Sequence, residues 1–407
     1  SCAALKDQTV RNKFWAATRH VSLLQYCSTF ETKRMRNINP KSQHFMFTYD
    51  KLVEKPHYAP DPHRSEPCFI FLAPVGVDRP ELGREFQKIG KKNMGITAGL
   101  EATAIPKHWV DGCNRMDLNV VPAEFVKEMI QQTKYEEKQG KEVVRVHGVN
   151  TPIEVLFEGF DEKIYGKTNK FSEDLVTEMN KISESFCFLF TGHWLSGNLT
   201  QDRKDVGMLI KTFIETFKNK GKKKRPALIL KTSSATFSVI DREDILSKIR
   251  TIKDSVDAKI FPNIYLMHGD FEDEEMNELY NHPKVKAHLS FTKGEGFGRP
   301  LLEASVSGKP VIASNWSGHL DFLNPEHSTL LPGKLQPVHK SAQWKGVINE
   351  GSQWFYVNYK NAEKILMEDM PLAPILFGIS RHLVQEDIEG WIENPSSFHA
   401  SRFLKRK

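Results

Sequence analysis

Residues 291–323, FTKGEGFGRPLLEASVSGKPVIASNWSGHLDFL, constrain this chain more than any other stretch. Gly296 and Gly298 bracket Phe297, and the absence of Cβ atoms there lets backbone and ligand approach closely. Pro300 suits the first turn of a helix. LLEASVSG then reads as a helix of about two turns that stops near Gly308. VIAS follows as a short apolar run of the kind found in buried parallel strands. The order is strand, glycine loop, helix, strand. Such a unit delivers backbone N–H groups and a positive helix end to one point, which suits an anion or a ring of hydroxyls. Glu295 lies in the loop and Glu303 in the helix, eight positions on. That spacing lets both carboxylates face one cleft. A turn glutamate and a solvated helix glutamate would give the same spacing with no site at all.

The chain around this unit alternates apolar strands with helical segments, the signature of a parallel sheet covered on both faces. CFIFLAPVGV, KNMGITA and DLNVVP read as strands in the first part, with KHWVDGCNRM and AEFVKEMIQQT as helices. FSEDLVTEMNKISES reads as a helical linker. FCFLFTGHWL, ALILKTSS, NIYLMHGDF and VKAHLSF are the strands of the second part. Between the first two of these, Val206, Leu209, Ile210, Phe213 and Phe217 recur at helical spacing. FEDEEMNELYNH is a further helix, and SAQWKGVINEGSQWFYVNYKNAEKIL ends in one. In parallel sheets ligands sit beyond the carboxyl ends of the strands. The loop with Thr97, Gly99 and Glu101 is one such place, and Lys231 ends a strand at another.

Length and composition bound the rest. The 407 residues, 39% of them hydrophobic, suffice for two domains with sizeable cores. No apolar run reaches the ~18 residues of a membrane span. The five cysteines are scattered and form no C-x-x-C pair, so neither a zinc site nor a disulfide framework is indicated and a reducing cytoplasm is the simpler expectation. The net charge of +6 is compatible with phosphate-bearing partners. Basic residues cluster at 33–41, 218–225 and 402–407. Each cluster is open to two readings, a solvated segment or contact with an anionic acceptor. FWAATRHVSLLQYC has the look of an amphipathic helix.

KGEGFGRPLLEASVSGKPVIAS, followed by NWSGHLDFL, resembles the donor-sugar motif of retaining nucleotide-sugar glycosyltransferases of the GT-B fold, glycosyltransferase family four in particular. The resemblance implies an α/β protein of two Rossmann-like domains facing each other across a cleft. It places an acceptor-side domain at 1–165, completed by a crossing helix at about 386–407, and a donor domain at 166–385. It assigns Glu295 to the donor sugar, the amides of Gly296, Phe297 and Gly298 to sugar or diphosphate, and Glu303 to the ribose hydroxyls. Arg203 and Lys204 match the basic helix start that meets the diphosphate, and Lys231 the second diphosphate cation. Met267 and His268 fall where this fold seats the nucleotide base. Thr97, Gly99 and Glu101 stand on the acceptor side. Where the family often has an arginine after the glycine that ends the first donor-domain strand, this chain has His193 after Gly192. SCAALKDQTV does not look like the family's first strand, which leaves residues 1–65 the least legible.

The resemblance further implies transfer with retention, no tightly bound cofactor and no metal, with a UDP-sugar as the favoured donor. DRKDVGMLIKTF, ALILKTS, KGEGFGRPLLE and NWSGHLDFLN look most like enzymes encoded by large bacteriophages, some of which glycosylate hydroxymethylated bases in double-stranded DNA. A polysaccharide, a lipid-linked glycan or a protein are the competing acceptors. Two other classes compete with the transferase. A Rossmann-type dehydrogenase fails on placement, because GEGFG lies late and no G-x-G-x-x-G follows a first strand. A catalytically silent sugar- or nucleic-acid-binding module would lack the need for Glu295, Glu303 and Lys231 together.

Overall fold

The computed structural model describes residues 68–71, 93–140, 142–195, 199–234, 237–344, 346–369, 388–389 and 405–406. In chain order its elements begin with strands β1 (Cys68–Phe71) and β2 (Asn93–Ile96), helix α1 (Lys107–Asn114), strand β3 (Leu118–Val121) and helix α2 (Glu124–Gln132). Strands β4 (Lys134–Gln139), β5 (Glu142–Gly148) and β6 (Ile153–Val155) and helix α3 (Glu173–Asn180) follow. Then come β7 (Cys187–Thr191), α4 (Val206–Phe217), β8 (Ala227–Lys231), α5 (Val239–Asp254), β9 (Ile264–Met267), α6 (Asp273–Asn281) and β10 (Val285–Ser290). The described core of the chain closes with α7 (Arg299–Val306), β11 (Val311–Ser314), β12 (Thr329–Leu331), β13 (Gly333–Pro337), β14 (Gln353–Val357) and α8 (Tyr359–Asp369).

The chain divides into two units. The first takes in, among described residues, 68–71, 93–97, His108–Val120 and Val149–Glu158. Its sheet runs β1-β2-β3-β6, with β1, β2 and β3 parallel. Helix α1 buries Trp109, Val110 and Cys113. Asn119 is fully buried in β3 and donates to the Cys113 carbonyl at 3.0 Å and to Thr151 Oγ1 at 2.8 Å. Those bonds satisfy the amide nitrogen, while Oδ1 accepts no hydrogen bond among the described residues.

The second unit holds a six-stranded sheet in the order β12-β11-β10-β7-β8-β9, with every neighbouring pair parallel. Side chains of its central strands alternate between two cores, as period-two strands dictate. Phe188, Phe190, Leu228 and Leu230 pack on one face with Leu209, Ile210, Phe213 and Phe217 of α4. Cys187, Leu189, Ala227 and Ile229 pack on the other with Tyr280, Leu301 and Ala304. The five apolar positions expected to face inward from α4 are all buried. From β7 the chain builds outward through β8 to β9, then returns to place β10 on the other side of β7. The strand order therefore reverses between β7 and β10, which is where doubly wound sheets open a crevice.

Outcomes for the sequence expectations are mostly direct. Helix α7 starts at Gly298, with Pro300 in its first turn, and Gly308 ends the segment with φ of 76°. Helix α5 was not anticipated. It buries only Asp241, Ile245 and Ile252, while Val239 and Ile240 face solvent, so its apolar residues give no clean stripe. The β4–β5 ribbon, a two-stranded antiparallel pair, was not anticipated either. The helix expected at 386–407, the reading of residues 1–65 and the basic clusters at 33–41 and 402–407 lie outside the described residues, apart from a two-residue pairing of Ile388–Glu389 with Lys405–Arg406. Among the described residues, no helix is long and apolar enough to cross a membrane.

Candidate active site

Two segments flank the point where the strand order reverses: residues 192–195 and 199–205 after β7, and 291–298 after β10. Glu295, in the second loop, is buried, and its carboxylate lies 2.5 Å from Lys204 Nζ and 3.5 Å from an Arg203 guanidinium nitrogen. Arg203 also donates to the Gly294 carbonyl at 2.6 Å and pairs with Glu101 at 3.3 Å. Burial would raise the Glu295 pKa, but Lys204 and Arg203 outweigh it and hold the group down to about 2. Burial pushes the Lys204 ammonium in the opposite direction, downward, and Glu295 works against that push.

The backbone makes this arrangement possible. Gly298 has φ of 100°, a left-handed conformation that starts α7 and that a side chain rarely adopts. A Cβ on Gly296 would lie 2.7 Å from the Ala98 carbonyl, so the loop can run against that backbone only as glycine. The Glu295 amide donates to Ser317 Oγ at 2.9 Å and the Gly318 amide to the Glu295 carbonyl at 3.0 Å. The Glu295 N–H is thereby engaged within the protein, and it is not one of the amides expected to meet a ligand, which are those of Gly296, Phe297 and Gly298. Phe297 is buried, with its ring 5.3 Å from that of Phe322.

Lys231 ends β8, as expected. Its ammonium donates to the Gly269 carbonyl at 2.7 Å and lies 4.3 Å from the centre of the Phe271 ring. Burial lowers its pKa to about 8, with Asp270 and Glu275 opposing. His193 follows Gly192 just beyond β7. Its pKa is lowered first by burial and then by the charges of Lys204, Lys231 and Arg203 together. Its Nδ1 lies 3.2 Å from Ser233 Oγ. Arg203 and Lys204 thus meet Glu295, with Glu101 on Arg203, and Gly192 lies between Lys204 and Lys231: its amide donates to the Lys231 carbonyl at 3.2 Å and a Cβ on it would lie 3.5 Å from Lys204 Cε.

Glu303 has different surroundings. Its carboxylate lies 3.2 Å from an Arg299 nitrogen and accepts from the Tyr280 hydroxyl at 3.3 Å. Burial raises its pKa, Arg299 opposes and Asp273 adds to the rise. Glu295 and Glu303 share none of these partners. Met267 has its carbonyl occupied by the Thr232 amide at 3.3 Å. His268 Nε2 lies 2.8 Å from Asp241 Oδ2, both side chains buried. Gly99 adopts φ of 69° against Val126. Thr97 belongs to the first unit, where its amide donates to the Val120 carbonyl at 3.1 Å.

Sequence reasoning missed Lys293 and Asp205, which form a buried ion pair at 3.0 Å behind the site. The available signal was their position: Asp205 follows Lys204, and Lys293 opens the KGEGFG stretch two residues before Glu295. The basic turn at 218–225 forms a short 3-10 helix, Lys222–Lys224, that is exposed. It borders a groove of about 1120 Å³ with Glu184, Phe186 and Asn263. This groove lies at the amino end of β8, whereas Lys231 lies at its carboxyl end.

Residues 250–345 match the family model described as glycosyl transferases group 1. That span contains the glycine loop, Glu295 and Glu303, while Arg203, Lys204 and Lys231 precede it. No curated protein matches the sequence. Among solved structures the chain is similar to HepE of Anabaena in complex with UDP and glucose, at 14% identity and a TM-score of 0.44, covering 65% of this chain and 64% of that one. It is also similar to sucrose-phosphate synthase of Thermosynechococcus elongatus, at 13% identity and a TM-score of 0.48, covering 72% and 67% of the two chains. A third similarity is to the C-terminal domain of LpcC, a group 1 family glycosyl transferase of Francisella tularensis, at 16% identity and a TM-score of 0.32, covering 42% and 80%. The chain spans less than two thirds of the HepE structure's length.

Proposed function

We propose that this chain is a retaining glycosyltransferase that moves a sugar from a nucleotide-sugar donor, a UDP-sugar in the first instance, to a hydroxyl acceptor. The observation that carries the reading is the convergence of Arg203 and Lys204 on Glu295 beside the reversal of strand order, with Gly192 next to both Lys231, whose carbonyl accepts its amide at 3.2 Å, and Lys204, whose Cε would lie 3.5 Å from a Cβ there. The family match over the glycine loop supports the same assignment.

In the proposed reaction the bond between the sugar C1 and the β-phosphate oxygen breaks, and that oxygen keeps the electron pair. The acceptor oxygen forms the new bond to C1 on the same face. Its proton passes to the departing phosphate oxygen, so no protein nucleophile or metal takes part. Arg203, Lys204 and Lys231 offset the charge that grows on the diphosphate, a role that often supplies much of the rate enhancement. Glu295, held ionised by the cations, orients the sugar. Glu303 accepts hydrogen bonds from the ribose hydroxyls, each such bond to a charged group being worth roughly 1.5–3 kcal/mol.

For the acceptor we carry forward a hydroxymethylated base in double-stranded DNA, as in bacteriophage genomes. Its support among the described residues is the basic turn at 218–225. That turn sits at the opposite end of β8 from Lys231, so it serves to grip a polymer backbone and not to meet the reacting sugar. The test is a screen of UDP-glucose, UDP-N-acetylglucosamine and GDP-mannose against hydroxymethylcytosine DNA and unmodified DNA, read by nucleoside mass spectrometry and by release of nucleoside diphosphate. Glucosylated nucleoside from the modified DNA alone supports the whole proposal. Nucleotide release without DNA modification moves the acceptor to a glycan, lipid or protein. No nucleotide binding and no release with any donor overturns the transferase and leaves a silent binding module.

A further inference from the structure

Lys293 has no exposed surface, and a lysine is among the residues least often buried without a reason. Its ammonium donates to the carbonyls of Thr200 and, at 2.9 Å, Asp202, and lies 3.0 Å from the carboxylate of Asp205, which is also fully buried. The Tyr359 hydroxyl donates to the other Asp205 oxygen at 2.5 Å. The rings of Tyr356 and Trp354 flank the ammonium, at 4.6 Å and 5.6 Å from it. The backbone of Lys293 is engaged as well. Its amide donates to the Arg203 carbonyl at 2.8 Å, and its carbonyl accepts from the Phe355 amide at 3.1 Å. One residue therefore fastens residues 200–205 to the glycine loop and to β14.

The segment so fastened carries Arg203 and Lys204. It also carries two non-glycine residues in left-handed conformation, Thr200 with φ of 72° and Asp205 with φ of 52°. Such conformations are costly for residues with a side chain and persist where surrounding contacts over-determine them. Burying an ion pair is itself weak grounds for stability, since desolvation offsets the attraction and an apolar pair often serves as well. The geometry of the fastening is the more economical reason for a lysine here, because an ammonium reaches three acceptors on one loop, which no apolar side chain does.

We propose that Lys293, through Asp205, is a positioning residue for the transfer reaction: it fixes the 200–205 loop so that Arg203 and Lys204 stand where the diphosphate leaves. The inference rests on the glycosyltransferase reading and goes beyond it by assigning a role to a residue that touches neither donor nor acceptor.

The test compares wild type with Lys293→Met, Asp205→Asn and the double variant K293M/D205N, which removes both charges at nearly constant volume. The double variant is expected to keep cooperative thermal unfolding, because the paired charges of Lys293 and Asp205 are lost together and the buried Asp202 carboxylate, which also loses the nearby Lys293 charge, keeps its bond from the Val206 amide at 3.0 Å. Amide hydrogen exchange across residues 200–206 is expected to accelerate about tenfold or more while β7 and β8 stay protected. The kcat for the donor is expected to fall by about 100-fold, the scale of a misplacement near 1 Å, with a smaller change in KM for the acceptor. Unchanged exchange in the double variant overturns the fastening. Faster exchange with unchanged UDP affinity and kcat overturns the positioning role. A wild type that binds no nucleotide overturns the glycosyltransferase reading instead, and the exchange measurement still decides the fastening.

Discussion

Lys204 places its ammonium 2.5 Å from a carboxylate oxygen of Glu295, and both side chains are largely shielded from water. In that setting an ion pair is strong but exacting. Removing one partner leaves the other charged and poorly solvated. Lys204→Met should therefore let the Glu295 pKa climb from about 2 toward the ordinary carboxylate range, with Arg203 remaining as a close cation. Donor turnover should fall by about 100-fold or more, since the lost charge acts on the leaving group. Steady-state kinetics with saturating acceptor measure this. Wild-type turnover in the variant would remove Lys204 from the machinery.

The two glutamates should separate kinetically. Glu303→Ala should weaken nucleotide binding by about 1.5–3 kcal/mol per hydrogen bond lost, with KM for the donor rising to match. Glu295→Ala should lower kcat while calorimetry finds nucleotide affinity changed little. The reverse pattern would exchange the roles assigned here to the two acids.

Lys231 makes a pH-dependent prediction. Burial lowers its pKa to about 8, so its charge is lost as pH rises through that value in the free protein. The donor kcat/KM should fall above about pH 8, because the cation that meets the diphosphate becomes neutral. Stability should move the other way. A lysine with a depressed folded pKa penalises the fold while it is protonated, and that penalty fades between about pH 8 and the ordinary lysine value near 10.4. Lys231→Arg, which stays charged throughout, should flatten the alkaline limb of the rate profile. A limb unchanged in that variant would assign it to another group.

A control on the fold is Phe213→Ala in α4. Phe213 is fully buried and packs its ring 5.1 Å from Phe217 and 6.2 Å from Phe188. Truncation should cost about 3–5 kcal/mol in denaturant unfolding. Nucleotide affinity below the unfolding transition should be unchanged, which distinguishes it from the site variants.

Much of the second unit was legible in the chain. β7 and β8 are apolar runs closed by one polar residue each, β10 keeps apolar residues at Val285, Ala287 and Leu289, and α4 repeats its apolar residues at helical spacing, so pattern alone marks them. The glycine loop was legible because its residue types answer to backbone demands, as the φ of Gly298 shows. Helix α5 was not, because Val239 and Ile240 are exposed and a buried aspartate, Asp241, takes a place on its inner face. The β4–β5 ribbon was not, because neither face is buried deeply enough to impose alternation on its sequence.

The amino-acid sequence by itself determined which residues could serve: a glycine loop opening a helix, two glutamates eight apart, and cations next to strand ends. Those are local properties, fixed by backbone freedom and side-chain periodicity within a few turns. The tertiary structure alone decided which of these groups meet. Arg203 and Lys204 lie some ninety residues before Glu295, and they come together because β7 and β10 are neighbours in the sheet though far apart in the chain. The same pairing joins Lys293 to Asp205, an ion pair whose worth depends on complete burial, and burial is a property of the packed fold that no local pattern of charges encodes.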